Sequence, residues 1–174
     1  MLAENSRFYI CLQSADMKNI LAFVFLVVSS GLLLTNIYNT LVDVKSWGSD
    51  IPQSIISARE YFRVVNPGNF FRVFAPINQV LGLLTLILFW RRSPQVRLYF
   101  GLAFLLFVIA DALTFAYFYP RNAILFLNTP MADTETLRKT WAEWCSMNWV
   151  RTLIAAAGVA FACMGVGRVC RGKQ

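Results

Sequence analysis

The chain has 174 residues, 57% of them hydrophobic and only 14% charged, with a mean hydropathy of +0.54. Soluble domains are about 45–50% apolar and about 25% charged, so this composition excludes an ordinary soluble domain and a disordered chain alike. Histidine is absent, which removes His-based acid–base catalysis, His-ligated zinc and haem, and di-iron centres of the Glu/His type. The formal charge of +7 comes with no recognition helix and no aromatic–basic sheet; it reads as a membrane-surface bias, with the lipid bilayer and not nucleic acid as the partner.

Residues 1–19 read as an N-terminal tail in which Met17 is an alternative start. Met17-Lys18-Asn19 before an apolar run resembles a signal peptide, but the run continues through Leu32–Leu34 with no A-x-A site, so an uncleaved first helix is expected. That first span is Ile20–Val42. A spanning helix needs about 20 residues. In the next connection Ser49-Asp50-Ile51-Pro52 has the pattern of a helix start, and Ile51, Ile55, Ala58, Tyr61 and Phe62 follow at helical spacing. A short amphipathic helix lying on the outer membrane face is expected there, with Trp47 and Tyr61 in the interfacial belt. Asn66-Pro67-Gly68-Asn69 reads as a turn, with Asn69 capping the second span, Phe70–Trp90. Pro76 inside that span is tolerable where neighbouring helices satisfy the freed carbonyl.

The third span is Leu98–Tyr119 and carries one charge, Asp111. After it, Asp133 or Thr134 can cap a second outer amphipathic helix beginning near Glu135, supported by Glu135–Lys139 and Lys139–Glu143 pairs and able to run on into the fourth span, Trp149–Val166. Gly158, Gly165, Gly167 and Ala155–Ala157 offer a close-approach face. The expected fold is all-α: one integral membrane four-helix bundle over residues 20–170, with short amphipathic helices in the two outer loops and a tail at 171–174. Arg91, Arg92 and Arg97 in the short turn, and Arg168, Arg171 and Lys173 at the C-terminus, place both termini in the cytoplasm of a bacterial inner (plasma) membrane.

Polar residues are costly inside a bilayer, and here they fall in register. Asn36, Asn39 and Asp43 share one face of the first helix; Asn78 and Gln79 lie toward the outer part of the second; Asp111, Thr114, Phe118 and Asn122 line the third; Trp141, Trp144, Asn148 and Arg151 line the fourth. One reading is a polar, aromatic-walled pocket in the outer half of the bundle. Asp111 and Arg151 are then the catalytic candidates, and Asn36, Asn39, Asn78, Gln79, Asn122, Trp141, Trp144 and Asn148 the ligand-binding ones. The other reading is helix–helix glue, with Asp111 paired to Arg151 or Arg121. The four cysteines, Cys11, Cys145, Cys163 and Cys170, form no C-x-x-C, and no structural disulfide is expected. No metal site and no nucleotide-binding glycine pattern is present in the sequence.

Pro120-Arg121-Asn122-Ala123 resembles the P-x-N-x turn, and Asn148-Trp149-Val150-Arg151-Thr152 the N-H-x-R-T motif, of the four-helix membrane family that includes the anthrone oxygenases. The resemblance in layout spans Ile20–Cys170, and its specific part is residues 119–152. Trp149 stands where the motif carries histidine. The resemblance implies oxidation of a flat aromatic anthrone by O₂ without metal, flavin or other cofactor. Asp111 would be the base, and Asn122, Asn148 and Arg151 the partners of the oxyanion. Two functions follow as expectations: a site binding and oxidising a hydrophobic aromatic or quinone-like molecule, or a non-catalytic scaffold or accessory subunit of a membrane complex. A homo-oligomer is compatible with either.

Overall fold

Capping and hydrophobic run length divide residues 17–171 into five helices. The computed structural model describes residues 17–171, which are helical apart from turns and short connections. The expectations for the N-terminal tail before Met17, including Cys11, and for residues 172–174 lie outside the described residues. The helices are α1 (Met17–Trp47), α2 (Gln53–Tyr61), α3 (Pro67–Phe89), α4 (Pro94–Leu127) and α5 (Thr134–Arg171). All but α2 are long and apolar enough to cross a membrane. The long helices pack in a ring, α1 on α3, α3 on α4, α4 on α5 and α5 on α1. Contacts fix the directions. A Cβ on Gly82 would meet Phe25, and Ser29 bonds Asn78, so α1 and α3 run antiparallel. Asn36 bonds Thr152 and Thr40 bonds Asn148, so α1 and α5 do too.

The half of the bundle nearest the termini is closed by phenylalanines against glycines. Phe25, Phe89, Phe100 and Phe107 are buried in one apolar cluster with Ala103, Ala155 and Ala162. Phe25 and Phe107 meet edge-on at 6.4 Å. A Cβ at Gly158 would stand 2.9 Å from the Phe107 ring, and one at Gly165 2.7 Å from Phe100, so α5 must be bare at both places for α4 to approach. Gly167 does not belong to that face; its nearest neighbour would be the Arg171 side chain at 3.8 Å.

Several boundaries differ from expectation for local reasons. Asn66, not Asn69, caps α3: its side chain receives the backbone N–H of Asn69, and the Asn69 side chain answers to the backbone of Asn66 at 3.1 Å, with Pro67 in the first turn. α2 begins at Gln53 with no side-chain cap. Ser49 turns back to the Ser46 carbonyl at 2.8 Å, and Ser54 donates to the Trp47 carbonyl at 2.5 Å, which ties α2 to the end of α1. Ser93 caps α4 through the Val96 N–H at 3.3 Å. Asp133 caps α5, accepting from the Thr136 N–H at 3.0 Å and its hydroxyl at 2.7 Å. These bonds hold the Asp133 carboxyl below its ordinary range. The outer helix expected from Glu135 and the fourth span are one unbroken helix of 38 residues.

α4 does not stop at Tyr119. It continues through Pro120 to Leu127, with widened turns at Thr114–Phe118 and Ala123–Leu127. Pro120 has no N–H to give, and just before it the Tyr119 N–H bonds the Thr114 carbonyl, five residues back. The segment expected as a turn, Pro120-Arg121-Asn122-Ala123, is therefore helix interior. α1 has a similar wide turn at Asn39–Asp43. The overhanging ends of α1, α4 and α5 enclose a second apolar core with α2: Val44, Trp47, Ile55, Ala58, Phe118, Leu125, Leu137 and Trp144. Arg59 of α2 locks this cap by donating to three carbonyls at the end of α4, Leu125 at 2.7 Å, Ile124 at 3.0 Å and Asn128 at 3.1 Å. The apolar face of α2 is thus committed to the cap and not to lipid. Cys145 and Cys163 are free, but Cys170 is disulfide-bonded, overturning the expectation of no disulfide; sequence spacing had excluded only a C-x-x-C pair.

Candidate functional site

Between the two apolar cores lies a polar layer, and Arg151 is at its centre. Asn148, Arg151 and Thr152 stand three and one residues apart on α5, which turns all of them inward, while Trp149 and Val150 between them are exposed. Arg151 donates through Nη2 to Asn36 Oδ1 at 2.8 Å and to Asn148 Oδ1 at 2.5 Å, and through Nη1 to Thr114 Oγ1 at 3.2 Å. Asn36 Nδ2 donates to Thr152 Oγ1 at 2.6 Å, and Asn148 Nδ2 to Thr40 Oγ1 at 2.5 Å. The hydroxyls pass their own protons to carbonyls one turn back: Thr40 to Asn36 at 2.8 Å, Thr152 to Asn148 at 2.8 Å and Thr114 to Ala110 at 2.9 Å. Every threonine therefore both accepts and donates, which lets a buried amide–guanidinium cluster exist in a low-dielectric bundle.

Aromatic rings close over the guanidinium. Its central carbon is 4.1 Å from the Phe118 ring centre and 5.8 Å from those of Phe71 and Trp144. Arg151 Nε has neither solvent contact nor a hydrogen-bond partner. Beside the layer, on α3 and α4, Gln79 donates to Asp111 Oδ2 at 2.5 Å, while Gln79 Oε1 is buried and unpartnered. Asp111 forms no ion pair with Arg151 or Arg121; Arg121 is bound instead to Glu143 at 2.8 Å and lies 3.5 Å over the Tyr117 ring. A cation held by neutral amides and a carboxylate held by a neutral amide thus stand near one another without cancelling.

The sequence-derived residues divide. Asn36, Asn148 and Arg151 meet in one network, with Gln79 and Asp111 alongside. Asn78, next to Gln79 on α3, accepts instead from Ser29 at 2.8 Å, with its own Nδ2 unpartnered. Asn39 bonds Asp43 within α1 at 2.9 Å. Trp141 donates to the Val44 carbonyl at 2.8 Å, and Trp144 to Asn122 Oδ1 at 2.8 Å. Trp144 also packs edge-on against Trp47 at 5.4 Å and Phe118 at 5.1 Å. Both indoles are structural members of the cap. The candidate set leaves out Thr40, Thr152, Phe71 and Phe118. The signal for the threonines was their spacing, four residues beyond Asn36 and Asn148. Phe118 was legible by its place on one face of the third span with Asp111, Thr114 and Asn122, whereas Phe71 carries no such mark among so many apolar positions. Two open grooves lie on the surface: one of about 400 Å³ along Tyr117, Glu143, Ser146 and Val150, and a wider one of about 870 Å³ over Ile56, Arg59, Tyr61 and Met131. Among the described residues no group of three or more Cys, Asp or Glu side chains is placed to hold a metal ion.

Four membrane-length helices around a buried amide–arginine layer define a polytopic membrane bundle with a polar interior. The anthrone oxygenase family model matches residues 63–161, more than half of the chain, and the protein belongs to that family. The match covers α3, α4 and the part of α5 that carries Asn148, Arg151 and Thr152. No curated protein and no solved structure matches the chain. Trp149, which the resemblance places at the motif's histidine, is 46% exposed, so its side chain takes no part in the interior layer.

Proposed function

We propose that the protein binds a flat, hydrophobic aromatic ketone or quinone-like molecule at the polar layer and oxidises it with O₂. The observation that carries this reading is the Arg151 guanidinium. It is buried among aromatic rings, held by neutral groups alone, and its Nε–H is left without a partner. Such a group is preorganised for a developing phenolate or enolate oxygen. Asp111, steadied by Gln79, is the base on the neighbouring wall. It removes a proton from the ring methylene. The resulting enolate gives electrons to O₂ and forms a carbon–oxygen bond, leaving a hydroperoxide at that carbon. Cleavage of the O–O bond with loss of water leaves the second carbonyl. The substrate's own electron-rich enolate supplies the reducing power, so the protein needs only to bind, deprotonate and stabilise charge.

The basic turn and C-terminal end, Arg91, Arg92, Arg97, Arg168 and Arg171, face the cytoplasm of a bacterial inner membrane in this reading, and the aromatic cap faces outward. The test is anthrone binding and anthrone-dependent O₂ uptake by the purified protein in lipid. Asp111→Asn is expected to retain binding and lose turnover, and Arg151→Ala to lose both. Unchanged binding and turnover in the two variants would contradict the assignment. A second reading, a scaffold or accessory subunit of a membrane complex, is favoured by the two open grooves on the outside of the bundle, each wide enough to seat side chains of a partner. It predicts a stoichiometric protein partner on purification.

A further inference from the structure

The polar layer is closed on three sides by helices that are packed along their whole length, and on the fourth by one that is not. In α3 the buried residues are Asn78, Gly82, Thr85 and Phe89; none of residues 67–77 is buried. The apolar core near the termini takes Leu81, Leu86 and Phe89 from α3, and the cap core takes nothing from it. The first half of α3 therefore belongs to neither core. Pro76 stands where that unpacked half meets the packed one. It offers no N–H to the Arg72 carbonyl, so the helix is weakest to bending at this joint. The unpacked half bears Phe70 and Phe74, stacked at 4.6 Å, and Phe71, whose ring is the only part of α3 over the Arg151 guanidinium among the described contacts. The layer holds two buried atoms without partners, Arg151 Nε and Gln79 Oε1.

We infer that Pro67–Ile77 is a lateral gate hinged at Pro76. A flat, lipid-dissolved aromatic carbonyl compound enters from the bilayer by displacing the Phe71 ring from Arg151. The incoming ring replaces one aromatic–cation contact with another, and its oxygen supplies the acceptor that Arg151 Nε lacks. Water-soluble molecules have no comparable path, because the cap core seals the end of the bundle. The choice of ligand class rests on the proposed function; the gate rests on the packing of α3.

The two are separable by one experiment. In protein with Cys145 and Cys163 replaced by alanine, spin labels are placed at Val73 and Tyr119 across the gate. A control pair is placed at Leu84 and Leu105 on the packed halves of the same two helices; all four side chains are exposed. Distance distributions are recorded in phosphatidylcholine vesicles with and without anthrone. The expected result is a broad or two-peaked distribution at Val73–Tyr119, narrowed by anthrone, beside a control pair that is narrow in both conditions. Pro76→Leu is expected to narrow the gate distribution without ligand and to slow anthrone uptake from the vesicles, while Phe71→Ala speeds uptake several-fold. A Val73–Tyr119 distribution as narrow as the control overturns the gate even where anthrone binds. A broad distribution that anthrone leaves unchanged overturns the ligand class and supports the gate.

Discussion

The two apolar cores are built on opposite principles. Near the termini, phenylalanines from α1, α3 and α4 pack into places kept bare by Gly82, Gly158 and Gly165, and backbones approach closely. In the cap, indoles from α1 and α5 fill the space between splayed helix ends, and each of Trp141 and Trp144 is anchored by a hydrogen bond. The first solution suits lipid, where close van der Waals packing associates helices and polar side chains are a burden. The second suits an interface with water, where an indole can bury its body and satisfy its N–H. The polar layer occurs where one regime gives way to the other. The widened turn of α1 and the first of the two in α4 border this layer, and they rotate Asn39, Thr114 and Phe118 relative to a regular helix.

Substitutions can break this contrast in order of effect. Trp144→Ala removes the ring that joins Trp47 to Phe118, together with the bond to Asn122, and should cost about 3–5 kcal/mol of stability. Arg151→Met, of similar volume, keeps the apolar packing but strands the buried Asn36 and Asn148 amide oxygens, and should cost about 1–3 kcal/mol, less than the loss of the indole. Thermal unfolding in detergent checks both, and equal losses would erase the distinction between cap and layer. In the core near the termini, the Thr85 hydroxyl is fully buried without a partner. Thr85→Val should therefore stabilise by about 1 kcal/mol, with no effect on the cap; a loss of melting temperature would mean that the hydroxyl is satisfied.

The smallest effect concerns the start of α5. Asp133 has a carboxyl held below its ordinary value of 3.8 by the Thr136 bonds. Its contribution is fully present above that value and is lost as pH falls through the lowered native one. Amide exchange in the first turn of α5 should rise at acid pH, and Asp133→Ala should flatten this dependence. Loss of the pH dependence without any rise in exchange at neutral pH would show that the cap bonds do not hold the turn.

The spans were legible because hydropathy over about 20 residues is a local property of the sequence. So was the inward set of Asn36, Asn148 and Arg151, which one helical period places on facing sides. What was not legible depends on where neighbours end. Nothing local in Pro120-Arg121-Asn122-Ala123 distinguishes a turn from a helix with a widened turn before its proline. The two tryptophans have the spacing of a ligand platform, and only the overhang of α1 and α4 makes them core. For Asp111 the sequence left two readings open, a base in a pocket or the partner of Arg151 or Arg121, because a lone carboxylate does not say which helix faces it; its partner is Gln79, on the helix whose outer half is unpacked.

The most direct measurement is mass spectrometry of the small molecules that remain with the protein after purification, comparing wild type with Arg151→Ala in the same detergent. The expected result is an aromatic or quinone-like compound enriched in wild type and lost from the variant. Bulk lipid alone in both would contradict a ligand site at Arg151 and leave the polar layer as the joint between two differently packed cores.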